Sequence, residues 1–214
     1  MKKVLRKTLL ATSLGCIFSM AHALEGDATA GKEAAGLCVA CHQADGGGMN
    51  IPGAESWPRL AGINADYMFK QLQDFKSGKR QNATMQPFVN MLSEQQMKDI
   101  SVYYAQLPAT AGKGGEDATE QELKLGEKLA QHGDWDRYIV PCMSCHGPGN
   151  NGAGEHFPGI AGQHASYISD QLKAWKEGRR SNDPQDLMLA IAERMTDEDI
   201  RAVSVWLSRQ PAQD

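Results

Sequence analysis

Cys38-Val39-Ala40-Cys41-His42 recurs further along the chain as Cys142-Met143-Ser144-Cys145-His146. A C-x-x-C-H run reads as an attachment site for a c-type haem. Its two thiols add across the vinyl groups of one porphyrin, and the adjoining histidine is held beneath the iron as an axial ligand. Two copies imply two covalently bound haems, on Cys38 and Cys41 and on Cys142 and Cys145, with His42 and His146 as iron ligands. Competing readings fit less well. A two-residue gap makes a poor disulfide loop, each histidine follows its cysteine too directly for usual zinc spacing, and the strands that accompany a thioredoxin-like pair are missing.

Outward from the motifs, the two halves of the chain align with each other. Pro58-Arg59-Leu60-Ala61-Gly62 matches Pro158-Gly159-Ile160-Ala161-Gly162. Tyr67, Gln71-Leu72, Phe75-Lys76 and Gly78 match Tyr167, Gln171-Leu172, Trp175-Lys176 and Gly178. Such a repeat marks two homologous modules. Their periodicity is helical. Apolar positions fall on one side of Asn64 to Lys76 and of His164 to Lys176, and a glycine stops each run. Ser93 and Thr196 open a last helix in each module with a capping-box pattern, and a further helix precedes each motif, near Asp27 and around Glu120 to Gln131. In the second module extra residues, Trp135 and Tyr138 among them, separate that helix from its motif. The expected fold is all-α, with each module wrapped around its haem.

The sixth iron ligand has to come from a loop well downstream, and methionine or histidine are the usual candidates. Met49 lies too near its motif, while Met68 and Met97 fall inside helices as core residues. Met85 stands eight residues before the cap Ser93, and Met188 eight before the cap Thr196. Met91 and Met195 do not correspond in this way. A common pocket requires a common position, so Met85 and Met188 are the expected ligands. His132, His156 and His164 have no histidine counterpart in the first module and read as surface or N-terminal cap residues.

The chain has 214 residues. Residues 1–23 read as a cleaved secretory signal, with a basic start, an apolar stretch from Leu9 to about Met20, and a small-x-small site at Ala21-His22-Ala23. A lipoprotein reading of Cys16 fits less well, because Ser13 stands where leucine is expected. The expected organisation is then 24–109 for the first module, 110–117 for a linker of small and polar residues, and 118–214 for the second module. Four of the 22 basic residues go with the signal, leaving 18 against 26 acidic ones, a net charge of −8. That balance argues against nucleic-acid binding, which calls for a basic face. It suits a carrier that meets partners by complementary charge. The second half is the more acidic.

With these motifs in view, the chain resembles the cytochrome c4 family over essentially its whole mature length. The resemblance implies two tandem class I cytochrome c folds that carry single electrons in the bacterial periplasm. It also implies that the carbonyls of Pro58 and Pro158 accept a hydrogen bond from His42 and His146. Expected partners are redox proteins: a quinol-oxidising complex, a terminal oxidase or a dehydrogenase, with peripheral membrane contact an option. Expected function is electron transfer without catalysis. The nearest alternative is an electron-transfer subunit of a dehydrogenase complex, for example with a sulfur-oxidising flavoprotein. A dihaem peroxidase or gas sensor would need an iron with an open sixth position, contrary to Met85 and Met188.

Overall fold

Asp27 accepts hydrogen bonds from the backbone N–H groups of Thr29 and Ala30 and so starts α1 (Ala28–Ala34). This is the first helix of the computed structural model, which describes residues 24–212. The expected signal, with Cys16 and His22, lies outside them. A 3-10 turn (Ala35–Leu37) leads into α2 (Val39–His42), the single turn of the first motif. Then come α3 (Ala65–Lys76), α4 (Met85–Asn90) and α5 (Glu94–Ala105). The second module repeats the order as α6 (Glu120–Gln131), α7 (Met143–His146), α8 (Ala165–Lys176), α9 (Leu187–Ala192) and α10 (Asp197–Ser208). Only isolated bridges of extended backbone occur among the described residues. None of these helices is long and apolar enough to cross a membrane.

Both expected capping boxes form: Ser93 with Gln96, and Thr196 with Asp199. Thr119 and Glu122 add a third at the start of α6. A cap of this kind contributes about 1 kcal/mol. The short helices α4 and α9 stand where a loop was expected. Six residues span too few turns for hydrophobic periodicity to register, and neither helix has a side-chain cap.

In each module the first helix crosses the last, α1 on α5 and α6 on α10. The crossing closes at a glycine. A Cβ on Gly31 would lie 2.1 Å from the Asp99 carbonyl oxygen and 2.8 Å from Tyr103 Cβ. One on Gly126 would lie 2.2 Å from the Ala202 carbonyl oxygen and 2.6 Å from Trp206 Cβ. The obstacles are backbone and aromatic stem, which cannot swing aside. Gly31→Ala or Gly126→Ala is therefore expected to destabilise its module by about 3 kcal/mol, outweighing alanine's better helix propensity of about 1 kcal/mol. Denaturant titration checks this; an unchanged midpoint would mean that the helices do not touch there.

Behind these crossings lie two hydrophobic cores. One gathers Met68, Leu72, Phe75, Val89, Ile100 and Tyr104; the other gathers Leu129, Ile168, Leu172, Ile200, Val203 and Leu207. The insert before the second motif is anchored rather than loose. Ile139 is buried in the second core, and Arg137 grips the buried Asp199 carboxylate with Nη1 at 2.6 Å and Nη2 at 3.1 Å. Burial alone would raise the Asp199 pKa. The bonds from Arg137 and Thr196 nevertheless bring it below its ordinary value. Trp135 and Tyr138 stay exposed on this insert.

Candidate functional site

Each motif folds as one helical turn, which sets positions i, i+3 and i+4 on one face. The His42 N–H donates to the Cys38 carbonyl at 2.8 Å, and the His146 N–H to the Cys142 carbonyl at 2.9 Å. Both cysteine pairs and both histidines line one cavity of about 1580 Å³ that runs through both modules. None of the four cysteines is engaged in a disulfide. Burial pushes the Cys38 pKa up and that of Cys142 up to about 11, unlike the low-pKa thiolates of dithiol catalysts.

His42 Nδ1 lies 2.9 Å from the Pro58 carbonyl oxygen, and His146 Nδ1 lies 2.7 Å from that of Pro158. A carbonyl can only accept, so each Nδ1 carries the proton and each Nε2 keeps its lone pair for a metal. Burial lowers both histidine pKa values, partly offset by these bonds, which favours the neutral ring a ligand must be. The Pro58 carbonyl is held by the loop around it. Met49 and Trp57 exchange backbone hydrogen bonds at 2.8 and 2.9 Å, and a Cβ on Gly48 would come within 2.4 Å of the Pro58 oxygen. Only glycine lets the chain pass so close.

Met85 and Met188 line the same cavity, from the first turn of α4 and of α9. A side chain pins the backbone of each. The Met85 amide donates to Asn82 Oδ1 and the Met188 amide to Asp183 Oδ2, both at 2.7 Å. Asn82 is held in turn by Glu55 at 2.6 Å, and Asp183 by the Trp175 indole N–H at 3.0 Å. Of the other methionines, Met49 and Met91 are exposed, Met97 is core, and Met68 and Met195 are core residues that also border the cavity.

The chemistry of this lining fits two c-type haems. Apolar walls come from Leu72, Phe75 and Ile100 on one side and Leu172, Trp175 and Val203 on the other. Paired thiols would supply covalent attachment, and the imidazoles and thioethers lining the cavity are the donor types that would hold a haem iron.

The modules are locked together beside this cavity. Arg59 is buried; its Nε donates to the Gly162 carbonyl at 3.1 Å, its Nη2 to the Ala161 carbonyl at 3.0 Å, and its Nη1 to the Ala61 carbonyl. Its backbone pairs with the Gln163 amide through two 2.9 Å bonds. His164 differs from the surface or cap residue expected. It occupies the N-cap position of α8 but makes no cap bond, and it is only 1 % exposed. Its Nδ1 accepts from the Lys113 N–H at 3.2 Å and its Nε2–H donates to the Gly47 carbonyl at 2.8 Å, so it ties the modules together. His132 is exposed at the C-terminal end of α6, and His156 lies at the surface beside Glu155.

Comparison with known proteins finds similarity over both modules. The family described as Cytochrome c matches residues 28–108 and again 123–210. The thiosulfate dehydrogenase electron acceptor of Thiomonas intermedia is 44 % identical over 207 residues, covering 97 % of this chain and 92 % of its own. Cytochrome c4 of Pseudomonas aeruginosa is 37 % identical, covering 97 % and 98 %. The crystal structure of reduced recombinant cytochrome c4 from Pseudomonas stutzeri superimposes with a TM-score of 0.79 at 33 % identity, covering 87 % of this chain and all of that one.

Proposed function

The chain belongs to the cytochrome c4 family of dihaem electron-transfer proteins, and from that premise we propose that it is a periplasmic single-electron relay, not an enzyme, fed by a dehydrogenase that oxidises a reduced sulfur compound. Two c-type haems attach at Cys38 and Cys41 and at Cys142 and Cys145. When bound, each supplies a ferrous–ferric couple, and methionine–histidine ligation places it at the higher end of the potential range. In this reading His42 and Met85 would hold one iron, and His146 and Met188 the other. The Pro58 and Pro158 carbonyls fix the imidazole planes, and Asn82 and Asp183 fix the backbone from which the thioethers reach in. The apolar walls keep water away.

The observation that carries the proposal is the single cavity into which both motif turns open. It brings two redox centres into one enclosure, so an electron can enter through one module and leave through the other. The donor is inferred from the 44 % identical relative, which is named as an acceptor for thiosulfate dehydrogenase. Stopped-flow mixing tests it. Oxidised protein added to a thiosulfate dehydrogenase with thiosulfate is expected to become reduced at both haems. Reduction by a quinol-oxidising complex but not by the dehydrogenase would overturn the donor assignment.

A further inference from the structure

Tyr104 and Leu207 occupy the same place in the two modules. Each lies eleven residues beyond its cap, Ser93 or Thr196. Each carbonyl also accepts from the glycine of a matched Ala-Gly pair, Tyr104 from the Gly62 N–H at 3.0 Å and Leu207 from the Gly162 N–H at 2.9 Å. Both side chains are buried, at 0 % and 1 % exposure, and both line the cavity. They differ in chemistry, a phenol against an aliphatic chain. The phenol is held in place: the Tyr103 ring lies 5.0 Å away between centroids, and a Cβ on Gly46 would come within 3.0 Å of Tyr104 Cδ1.

The Tyr104 hydroxyl is unsatisfied where it stands. Its oxygen is buried and makes no hydrogen bond to any of the described residues, and the group set beside it is the Cys38 sulfur. A buried hydroxyl without a partner is costly, and Leu207 shows that the fold can fill this position without one. Burial pushes the Tyr104 pKa up, so the phenol keeps its proton and can donate. What it lacks is an acceptor. A cysteine thiol donates or weakly accepts, but a sulfur joined to a haem vinyl carbon has lost its hydrogen and can only accept. Attachment at Cys38 therefore turns the neighbour of this hydroxyl into the acceptor it lacks. The matching sulfur of the second module has no such donor: Leu207 carries no hydroxyl, and Cys142 Sγ lies 3.9 Å from the Leu129 carbonyl oxygen, which cannot donate.

We propose that Tyr104 is a positioning residue that donates a hydrogen bond to the Cys38 sulfur once that sulfur carries the haem, and that this bond raises the reduction potential of the first haem alone. It rests on the relay reading only through haem attachment at Cys38 and Cys41, not through the donor, because potentials are measurable whatever the partner. The donated proton sets positive charge at the sulfur, against the porphyrin edge, and hydrogen bonding around a haem is one of the protein's levers on its potential. Positive charge there favours the ferrous form, so losing the bond lowers the potential. The test is an NMR-resolved redox titration of the holoprotein, following the haem methyl resonances of each centre. Tyr104→Phe removes a single oxygen. It is expected to lower the reduction equilibrium constant of the first haem about threefold, roughly 28 mV for one electron, and to leave the second haem unchanged. A first haem unmoved or raised, or equal shifts at both haems, would overturn the proposal; a role in core packing alone predicts no shift. A measurement on the unaltered protein keeps the test decisive should the variant lose haem. In the reduced holoprotein the Tyr104 hydroxyl proton is expected to show a nuclear Overhauser contact with the Cys38 β protons, and absence of that contact counts against the bond. Wild-type protein without covalent haem would instead overturn the relay reading, and this inference with it.

Discussion

Arg59→Ala is expected to split the thermal unfolding of the holoprotein into two transitions, one for each module. The side chain of Arg59 bridges the halves, donating to the carbonyls of Ala161 and Gly162 across the interface and to that of Ala61 in its own module. Truncation leaves three carbonyls without their donor, at about 1–3 kcal/mol each where water cannot replace it. Part of that loss is offset, because holding a buried cation is itself unfavourable. Burial brings the Arg59 pKa down to about 10, and the variant is relieved of that penalty. The net expectation is a loss of about 3 kcal/mol of inter-module stabilisation. The backbone exchange with Gln163 and the His164 strut survive the substitution, so the modules should remain folded and haem-loaded. Differential scanning calorimetry reads the outcome directly. One transition at the original midpoint would show that the modules are not coupled through this residue.

The second large effect is expected at the methionines. Met85→Ala and Met188→Ala each remove a thioether from the cavity without touching the cysteines or histidines of the two motifs. Each variant is expected to retain both haems, to lose half of the methionine–iron absorption, and to bind carbon monoxide at one haem. Loss of the thioether should also lower that haem's potential, since methionine–histidine ligation raises it. The double variant should lose the absorption completely. Full retention of the band in either single variant would return the ligand role to Met68 or Met195, the core methionines that also border the cavity.

What could be read from the residues alone was whatever repeats locally. The motif turns, the helices with one apolar side and the capping boxes all depend on neighbours within four residues, and the chain states them twice. The methionine choice came from equal distance to a cap, and both methionines do line the cavity. Elements held by long-range partners were not legible. Arg59 aligns with Gly159, and Gln163 with Ile63, so the lock between the modules has no repeat to announce it. His164 stands where a cap belongs, and only its partners Gly47 and Lys113, far off in sequence, show that it is a strut. Asn82 and Asp183 were not legible either. They stand three and five residues before their methionines, and the loop that differs between the modules breaks the register there.

The central claim is that this chain encloses two covalently attached haems, each with histidine and methionine on its iron, in one joint cavity. The most direct test is a haem count on the purified protein combined with exposure of the reduced form to carbon monoxide. Two haems per chain that survive denaturation and bind no carbon monoxide at either centre are the expected result. A single haem, haem extractable by acid acetone, or avid carbon monoxide binding by the undamaged protein would contradict it.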